Sequence, residues 1–176
     1  FALTFVGGGA IIVTGGENLL VISLAHGLVL AVMVTSMLHV SGAQFNPAVS
    51  ISLASIGKQP WSQAMGFAVF QVLGAIAAAA LLKITMTPGW EFANEHIGET
   101  LGRYSGAEGS QFISVWRVLV LEAVAAFFLI WVIMGVCVDG KSKCTVAGIA
   151  IGGVVAADIL CFGPATGASM NPARSF

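Results

Sequence analysis

Charge is scarce in this sequence. Of 176 residues, seven are Lys or Arg and eight are Asp or Glu, so 9% are charged, against roughly 25% in an ordinary soluble domain. So few charges cannot cover one hydrophobic core with a polar shell, which excludes a soluble globular fold. No basic stripe is present and the formal net charge is −1, so the phosphate neutralisation that drives nucleic-acid binding has no source. Cysteine is sparse as well. Cys137, Cys144 and Cys161 are odd in number, lack metal-ligand spacing and have no accompanying histidine cluster, which indicates free buried thiols and neither metal nor cofactor. Neither end carries a charged flank or a cleavable signal pattern. No nucleophile, base and acid are spaced to meet, so no enzyme is expected.

What is present is apolar. Hydrophobic residues make up 57% of the chain and there are 22 glycines, while soluble domains hold roughly 45–50% apolar residues and about 7% glycine. A bilayer is the natural solvent for such a composition, and small residues suit tightly packed membrane helices. A spanning helix needs about 20 mainly apolar residues. Phe1 to Val13 reads as part of one such helix, ended by Thr14-Gly15-Gly16. Leu19 to Val40, Trp61 to Ile84, Val115 to Val138 and Thr145 to Phe162 read as four more, with Trp61, Lys83, Trp116 and Arg117 at interface positions. The expected fold class is all-α, a polytopic membrane helix bundle.

Thr85 to Ser114 is the one long polar loop, and it holds Glu91, Glu95, Glu99 and Glu108. Lys58 follows the second span, and Lys141 and Lys143 lie between the fourth and fifth. The positive-inside rule puts those two connections in the cytoplasm and the acidic loop on the other side.

Asn46 to Ile56 breaks the pattern. It is apolar but has 11 residues, roughly 16 Å of helix, half a hydrocarbon core. A half-length helix is tolerated at membrane depth only where protein or a water-filled cavity surrounds its end. A second such segment starts at Asn171. The two share a sequence: Ser41-Gly42-Ala43-Gln44-Phe45-Asn46-Pro47-Ala48-Val49-Ser50 aligns without gaps on Thr166-Gly167-Ala168-Ser169-Met170-Asn171-Pro172-Ala173-Arg174-Ser175. Six of ten positions are identical and the offset is 125 residues. Three spans separate the copies, so they point in opposite directions, an inverted repeat whose broken helices meet at the midplane.

Asn is a strong N-cap and Pro is pre-organised for the first helical position. Ala is small enough for two such turns to touch. Two helix N-termini then face each other, each with its positive dipole end at the membrane centre. Where capping leaves them free, the amides of Asn46 and Asn171 can donate to a passing polar molecule. Gly42-Ala43-Gln44 and Gly167-Ala168-Ser169 can expose backbone carbonyl acceptors just before each motif.

On these motifs the chain resembles the aquaporins, or major intrinsic proteins, along its whole length. The resemblance implies one transmembrane channel domain over 1–176, with repeats at about 1–84 and 115–176, a partial first helix, an absent sixth helix and a homotetrameric assembly in the lipid bilayer. It implies an outer selectivity filter counted from the motifs: His26 lies 20 residues before Asn46, Ile159 lies 12 before Asn171, Ala168 three before it and Arg174 three after. That set, with Ala25-His26-Gly27-Leu28 and Asp158-Ile159-Leu160, is similar to the tonoplast-intrinsic and ammonia-permeable branch. Such a channel would pass water, and also ammonia, hydrogen peroxide or urea, and exclude protons and ions.

Ser175 after Arg174, where glycerol conductors usually carry Asp, speaks against glycerol. Gln44 stands where the family commonly has His, and His39 matches water-selective members. By the same resemblance Glu122 buttresses the loop leading to a half-helix. His39 and Asp158 are expected to be structural, a loop amide or water satisfying Asp158. His96 is a loop histidine that completes the filter in some relatives, and Cys161 lies near the outer vestibule. Two other readings stay open: a secondary transporter, since inverted repeats with broken helices occur there too, and a mainly structural or junctional membrane protein.

Overall fold

The computed structural model describes residues 1–86, the backbone of 103–104 and 111–112, and residues 114–142 and 144–175. The expectations for Glu91, Glu95, His96, Glu99, Glu108 and Lys143 lie outside the described residues.

Helix α1 spans Ala2–Val13 and closes where the Thr14 hydroxyl donates back to Ala10 O at 2.8 Å. Helix α2, Leu19–Ser41, starts at Asn18, whose Oδ1 accepts from Val21 N at 3.1 Å. The short helix α3, Pro47–Ser55, is followed by α4, Trp61–Met86. Within the polar loop, Arg103–Tyr104 (β1) pairs antiparallel with Gln111–Phe112 (β2), a two-residue ladder too short to alter an all-α architecture. Helix α5, Val115–Ile133, runs on into a π turn at Met134–Val138. Helix α6 is Ala147–Thr166, and α7 is a single turn at Pro172–Ser175.

Four of these stretches are long and apolar enough to cross a membrane: Leu19–Ser41, Trp61–Met86, Val115–Val138 and Ala147–Thr166, with 23, 26, 24 and 20 residues. Even the shortest reaches about 30 Å at 1.5 Å per residue. The sequence-based end of the last span, Phe162, needs correction: the helix continues through Gly163 and Pro164 and stops at Gly167, which adopts the left-handed conformation with φ 85°. Large apolar side chains stay exposed on the outer faces, Phe70 at 75% and Val115 at 74% among them. In water these would be aggregation surfaces; in hydrocarbon they match the solvent.

The centre of the bundle is the crossing of α2 and α6. Gly27 packs on Ala156, Ala31 on Gly152 and Thr35 on Gly148, so the helices run antiparallel. A Cβ on Gly152 would lie 2.7 Å from Ala31 Cβ and collide with the carbonyl of Gly27. Small residues every four positions on both helices therefore allow backbone-to-backbone approach, the close-packing device of membrane helices. Gly152 follows Gly27 by 125 residues, the same offset as between the two Asn-Pro-Ala motifs. The two repeats thus cross at their own equivalent glycines, and this crossing sets the two half-helices opposite each other.

Candidate functional site

Each motif begins with a helix that must stop. Gly42 ends α2 at φ 75° and Gly167 ends α6 at φ 85°, a conformation glycine adopts without Cβ strain. Ala43, Ala168 and Met170 also take positive φ, at 48°, 43° and 52°. For residues with a Cβ this costs on the order of 1 kcal/mol each and persists only where the surroundings enforce it.

The two asparagines enforce much of it. Asn46 Oδ1 accepts from Ala48 N at 2.9 Å, and Asn171 Oδ1 accepts from Ala173 N at 3.1 Å. Asn46 Nδ2 donates to Met170 O at 2.7 Å, and Asn171 Nδ2 donates to Phe45 O at 3.0 Å. The clasp is reciprocal: each amide caps its own half-helix and holds the residue before the other motif. An amide nitrogen carries two hydrogens, so one remains on each asparagine. Pro47 and Pro172 sit at the start of α3 and α7, and Ala48 and Ala173 supply the capped N–H groups rather than pore contacts.

Glu122 reaches from α5 to the second loop. It accepts from Thr166 Oγ1 at 2.6 Å, Ser169 N at 3.0 Å and Met170 N at 2.7 Å. The first loop is held differently. Gln71 Nε2 donates to Gln44 O at 2.7 Å, and Gln59 pairs with the Gln44 side chain. Arg174 donates to Ala168 O at 3.1 Å and, more weakly, to Gly167 O at 3.5 Å. The carbonyls of Gly167 and Ala168 thus each accept from the guanidinium, and neither residue is among those lining the cavity.

A cavity of about 540 Å³ runs between the half-helices. Its walls are two matched stripes: His26, Leu30, Val34 and Leu38 from α2, and Ile151, Val155 and Ile159 from α6. Ile151, Val155 and Ile159 follow His26, Leu30 and Val34 by 125 residues, so the repeat builds both walls. Asn46 and Asn171 line it, as do Gly42, Ala43, Gln44 and Ser169. Arg174 stands toward the His26 and Ile159 end, and Lys58 and Gln59 toward the other. The fifteen residues of α2 beyond His26 place those ends about 20 Å apart.

His26 is the polar exception on these stripes, 1% exposed. Its Nδ1 lies 2.8 Å from Ile22 O. A carbonyl only accepts, so the proton is on Nδ1 and, in the neutral ring, Nε2 is an acceptor. Nε2 is buried without a hydrogen-bond partner among the described residues. The imidazole lies against Gly7 of α1, where a Cβ would overlap the ring. Asp158 Oδ2 is buried and without a hydrogen-bond partner among the described residues. His39 is exposed in the last turn of α2, away from the cavity, and the three thiols are free but not buried as expected: Cys137 and Cys161 are exposed and Cys144 is half-buried. Gly7, Gln59, Gln71 and Cys137, which lines the wall from the π turn, were not anticipated. Only the i, i+4 wall stripes had a sequence signal, visible once His26 and Ile159 are placed.

Residues 3–176 match the family model described as Major intrinsic protein. The chain belongs to the major intrinsic protein family. Among similar proteins, Aquaporin NIP1-2 of Oryza sativa subsp. japonica is 39% identical over 99% of this chain and 57% of its own length. Aquaporin NIP3-1 of Arabidopsis thaliana is 41% identical over 99% of this chain and 54% of its own. Nodulin-26 of Glycine max is 38% identical over 88% and 52% respectively. The chain thus spans about half the length of these curated relatives. The solved aquaglyceroporin from Plasmodium falciparum superposes with a TM-score of 0.75 at 25% identity, covering 99% of this chain and 73% of that one.

These aquaporin relatives correct one expectation. The leaning toward the tonoplast-intrinsic branch rested on His26, Ile159, Ala168, Arg174 and a few neighbours. Similarity along the chain leads instead to proteins with NIP and nodulin names, and four filter positions carry less weight than the rest of the chain. The membership makes this an integral, multi-pass membrane protein of a channel family.

Proposed function

We propose that this chain builds the pore of a passive channel that conducts water and, through the same path, ammonia, hydrogen peroxide or urea, while excluding protons and ions. The observation that carries the reading is the reciprocal clasp of Asn46 and Asn171 inside the cavity, which leaves each amide one N–H. Between apolar walls those donors are the polar station for a solute at mid-path. A water molecule there offers its oxygen to both, so its hydrogens point outward and no continuous donor chain for protons survives. An ion finds too few groups to replace its hydration and loses several kcal/mol or more on entry. The charged residues on the wall, among those described, are Lys58 and Arg174, both cationic; no carboxylate is there to coordinate a coupling ion, which favours a passive pore over a coupled transporter.

At the Arg174 end, His26, Ile159, Ala168 and Arg174 form the proposed filter: Arg174 is the donor, His26 and Ile159 bound the ring, and Ala168, set behind the wall, positions Arg174 through its carbonyl. The exposed apolar faces of α4 and α5 suit a homotetramer in the bilayer, and the Lys58 and Lys141/Lys143 connections are assigned to the cytoplasm.

The test is stopped-flow shrinkage of liposomes carrying the purified protein, with ammonia, peroxide, urea and glycerol uptake alongside. Water flux well above that of protein-free vesicles is expected; flux no higher than theirs would sink the reading. His26→Phe should narrow the filter and reduce urea and ammonia passage more than water. Equal loss of every solute would remove His26 from the filter.

A further inference from the structure

At the Lys58 end, opposite the proposed filter, three glutamines and a serine form a connected network. Gln44 Nε2 donates to Gln59 Oε1 at 2.7 Å, and Gln59 Nε2 donates back to Gln44 Oε1 at 3.1 Å. Gln59 Nε2 also donates to Ser50 O, in α3, at 2.7 Å. Gln71, from α4, donates to Gln44 O at 2.7 Å and to Ser50 Oγ at 3.2 Å. Because a carbonyl oxygen only accepts, Ser50 O fixes which way the Gln59 amide faces. Gln59 then fixes the Gln44 amide, so the direction of every group in the pair is determined.

Gln44 lies in the loop before the half-helix and Gln59 in the turn after it, so their side chains tie the two ends of that half-helix together across the wall. Both line the cavity, beside Lys58. The network is polar but carries no charge of its own, and none of its members titrates.

We propose that the Gln44–Gln59 amide pair is a second size filter, placed at the far end of the pore from Arg174 and independent of pH. It acts by holding the loop at Gln44 against the α3–α4 turn, and Gln59 is its positioning residue. The inference rests on the pore reading above. Lys58 and Cys137 are the other ionisable side chains on the wall at this end among the described residues. His26 does lie on the same cavity, at its other end, so each variant is read against the wild type at the same pH.

The experiment measures the ratio of urea to water permeability in liposomes carrying the wild type, Gln59→Ala, Gln44→Ala and the double variant. Each single variant is expected to raise the ratio severalfold. The double variant should raise it no further than either one, because a clasp is lost once. Gln59→Glu supplies a pH readout that a merely structural residue would not give. When ionised, the introduced carboxyl has no hydrogen for Ser50 O and repels it; when protonated, its hydroxyl donates there. Relative to the wild type, this variant should behave like Gln59→Ala at pH about 7 and return toward the wild-type ratio at pH about 4, below the ordinary glutamate pKa.

An unchanged ratio in both single variants overturns the second filter, as do urea and water losses in equal proportion. A Gln59→Glu ratio that tracks the wild type at every pH overturns it too. Wild-type vesicles as tight as protein-free ones would overturn the pore reading and this inference with it. The first three outcomes leave the pore standing, so the two failures are distinguishable.

Discussion

The two motif loops share six of ten residues but are secured by opposite chemistry. In the second, a carboxylate collects donors: Glu122 accepts from Thr166 Oγ1, Ser169 N and Met170 N. In the first, neutral amides supply donors to backbone acceptors: Gln71 to Gln44 O and Gln59 to Ser50 O. The backbone explains the difference. Met170 has positive φ, and no left-handed residue occupies the equivalent place, Phe45. That extra turn brings two successive N–H groups onto Glu122, while the loop's carbonyls at Gly167 and Ala168 are taken by Arg174. The second loop is therefore held by a carboxylate on its N–H groups and a guanidinium on its carbonyls, and the first gets by with amides. Sequence identity at six of ten positions does not imply identical support.

The largest effect should come from removing the charged support. Glu122→Ala leaves Ser169 N and Met170 N, two backbone amides inside the bundle, without an acceptor and leaves Thr166 Oγ1 only its longer bond to Phe162 O at 3.4 Å. Charge-assisted bonds contribute about 1.5–3 kcal/mol each, and breaking a charged network typically costs about 3–5 kcal/mol. Unfolding in detergent should show a loss of that order, and flux should fall with it. Glu122→Gln keeps one acceptor oxygen but turns an NH₂ toward a donor, so it should recover only part. A Glu122→Ala protein as stable as the wild type would mean that the second loop holds its shape through the asparagine clasp alone.

The crossing that both loops depend on comes next. Gly152→Ala places a methyl group against Gly27 O and Ala31, and overpacking of this kind costs about 1–3 kcal/mol. Because the crossing positions both half-helices at once, this variant should lower stability and water flux without favouring one solute over another. A change in solute ranking would show that the crossing controls one loop more than the other.

Much of this was legible because the inverted repeat states it twice. Asn-Pro-Ala with the same flanks at a fixed offset places both half-helices, and the same offset carries Gly27 to Gly152 and the wall stripe of α2 to that of α6. It would also have corrected the end of α6, since Ser41 closes α2 at the position where Thr166 closes α6. Gly163-Pro164 resembles a stop, but the left-handed Gly167 is the stop that counts. What was not legible is what differs between the repeats. Gln59 and Gln71 lie 15 and 27 residues from Gln44, at no periodicity that marks a contact. Gly7 matters only through the ring of His26 across a helix interface. The bonds from Arg174 to the Gly167 and Ala168 carbonyls were not legible either, because the sequence does not reveal where the Arg174 side chain turns.

A smaller loss tests the neutral support. Gln71→Met removes the donor to Gln44 O and Ser50 Oγ, two neutral bonds of about 0.5–1.5 kcal/mol each. It also removes Gln71 Oε1, a buried acceptor with no partner among the described residues, and losing an unsatisfied group offsets part of the cost. A net loss of about 1 kcal/mol is expected, clearly below that of Glu122→Ala. Equal losses would erase the distinction between charged and neutral support.

The smallest effect belongs to the residue beside the crossing. Gly153 follows Gly152 on α6, about 100° around the helix, and a Cβ there meets nothing within 4 Å. Glycine in a helix interior is less favourable than alanine by roughly 0.5–1 kcal/mol, so Gly153→Ala should leave stability unchanged or raise it slightly. The pair Gly152→Ala and Gly153→Ala therefore separates contact from composition: the same substitution, one residue apart, should destabilise at the first site and not at the second. If both destabilise alike, glycine is required along α6 for a reason other than the approach of Gly27, and the repeat-to-repeat contact loses its role in setting the two loops opposite each other.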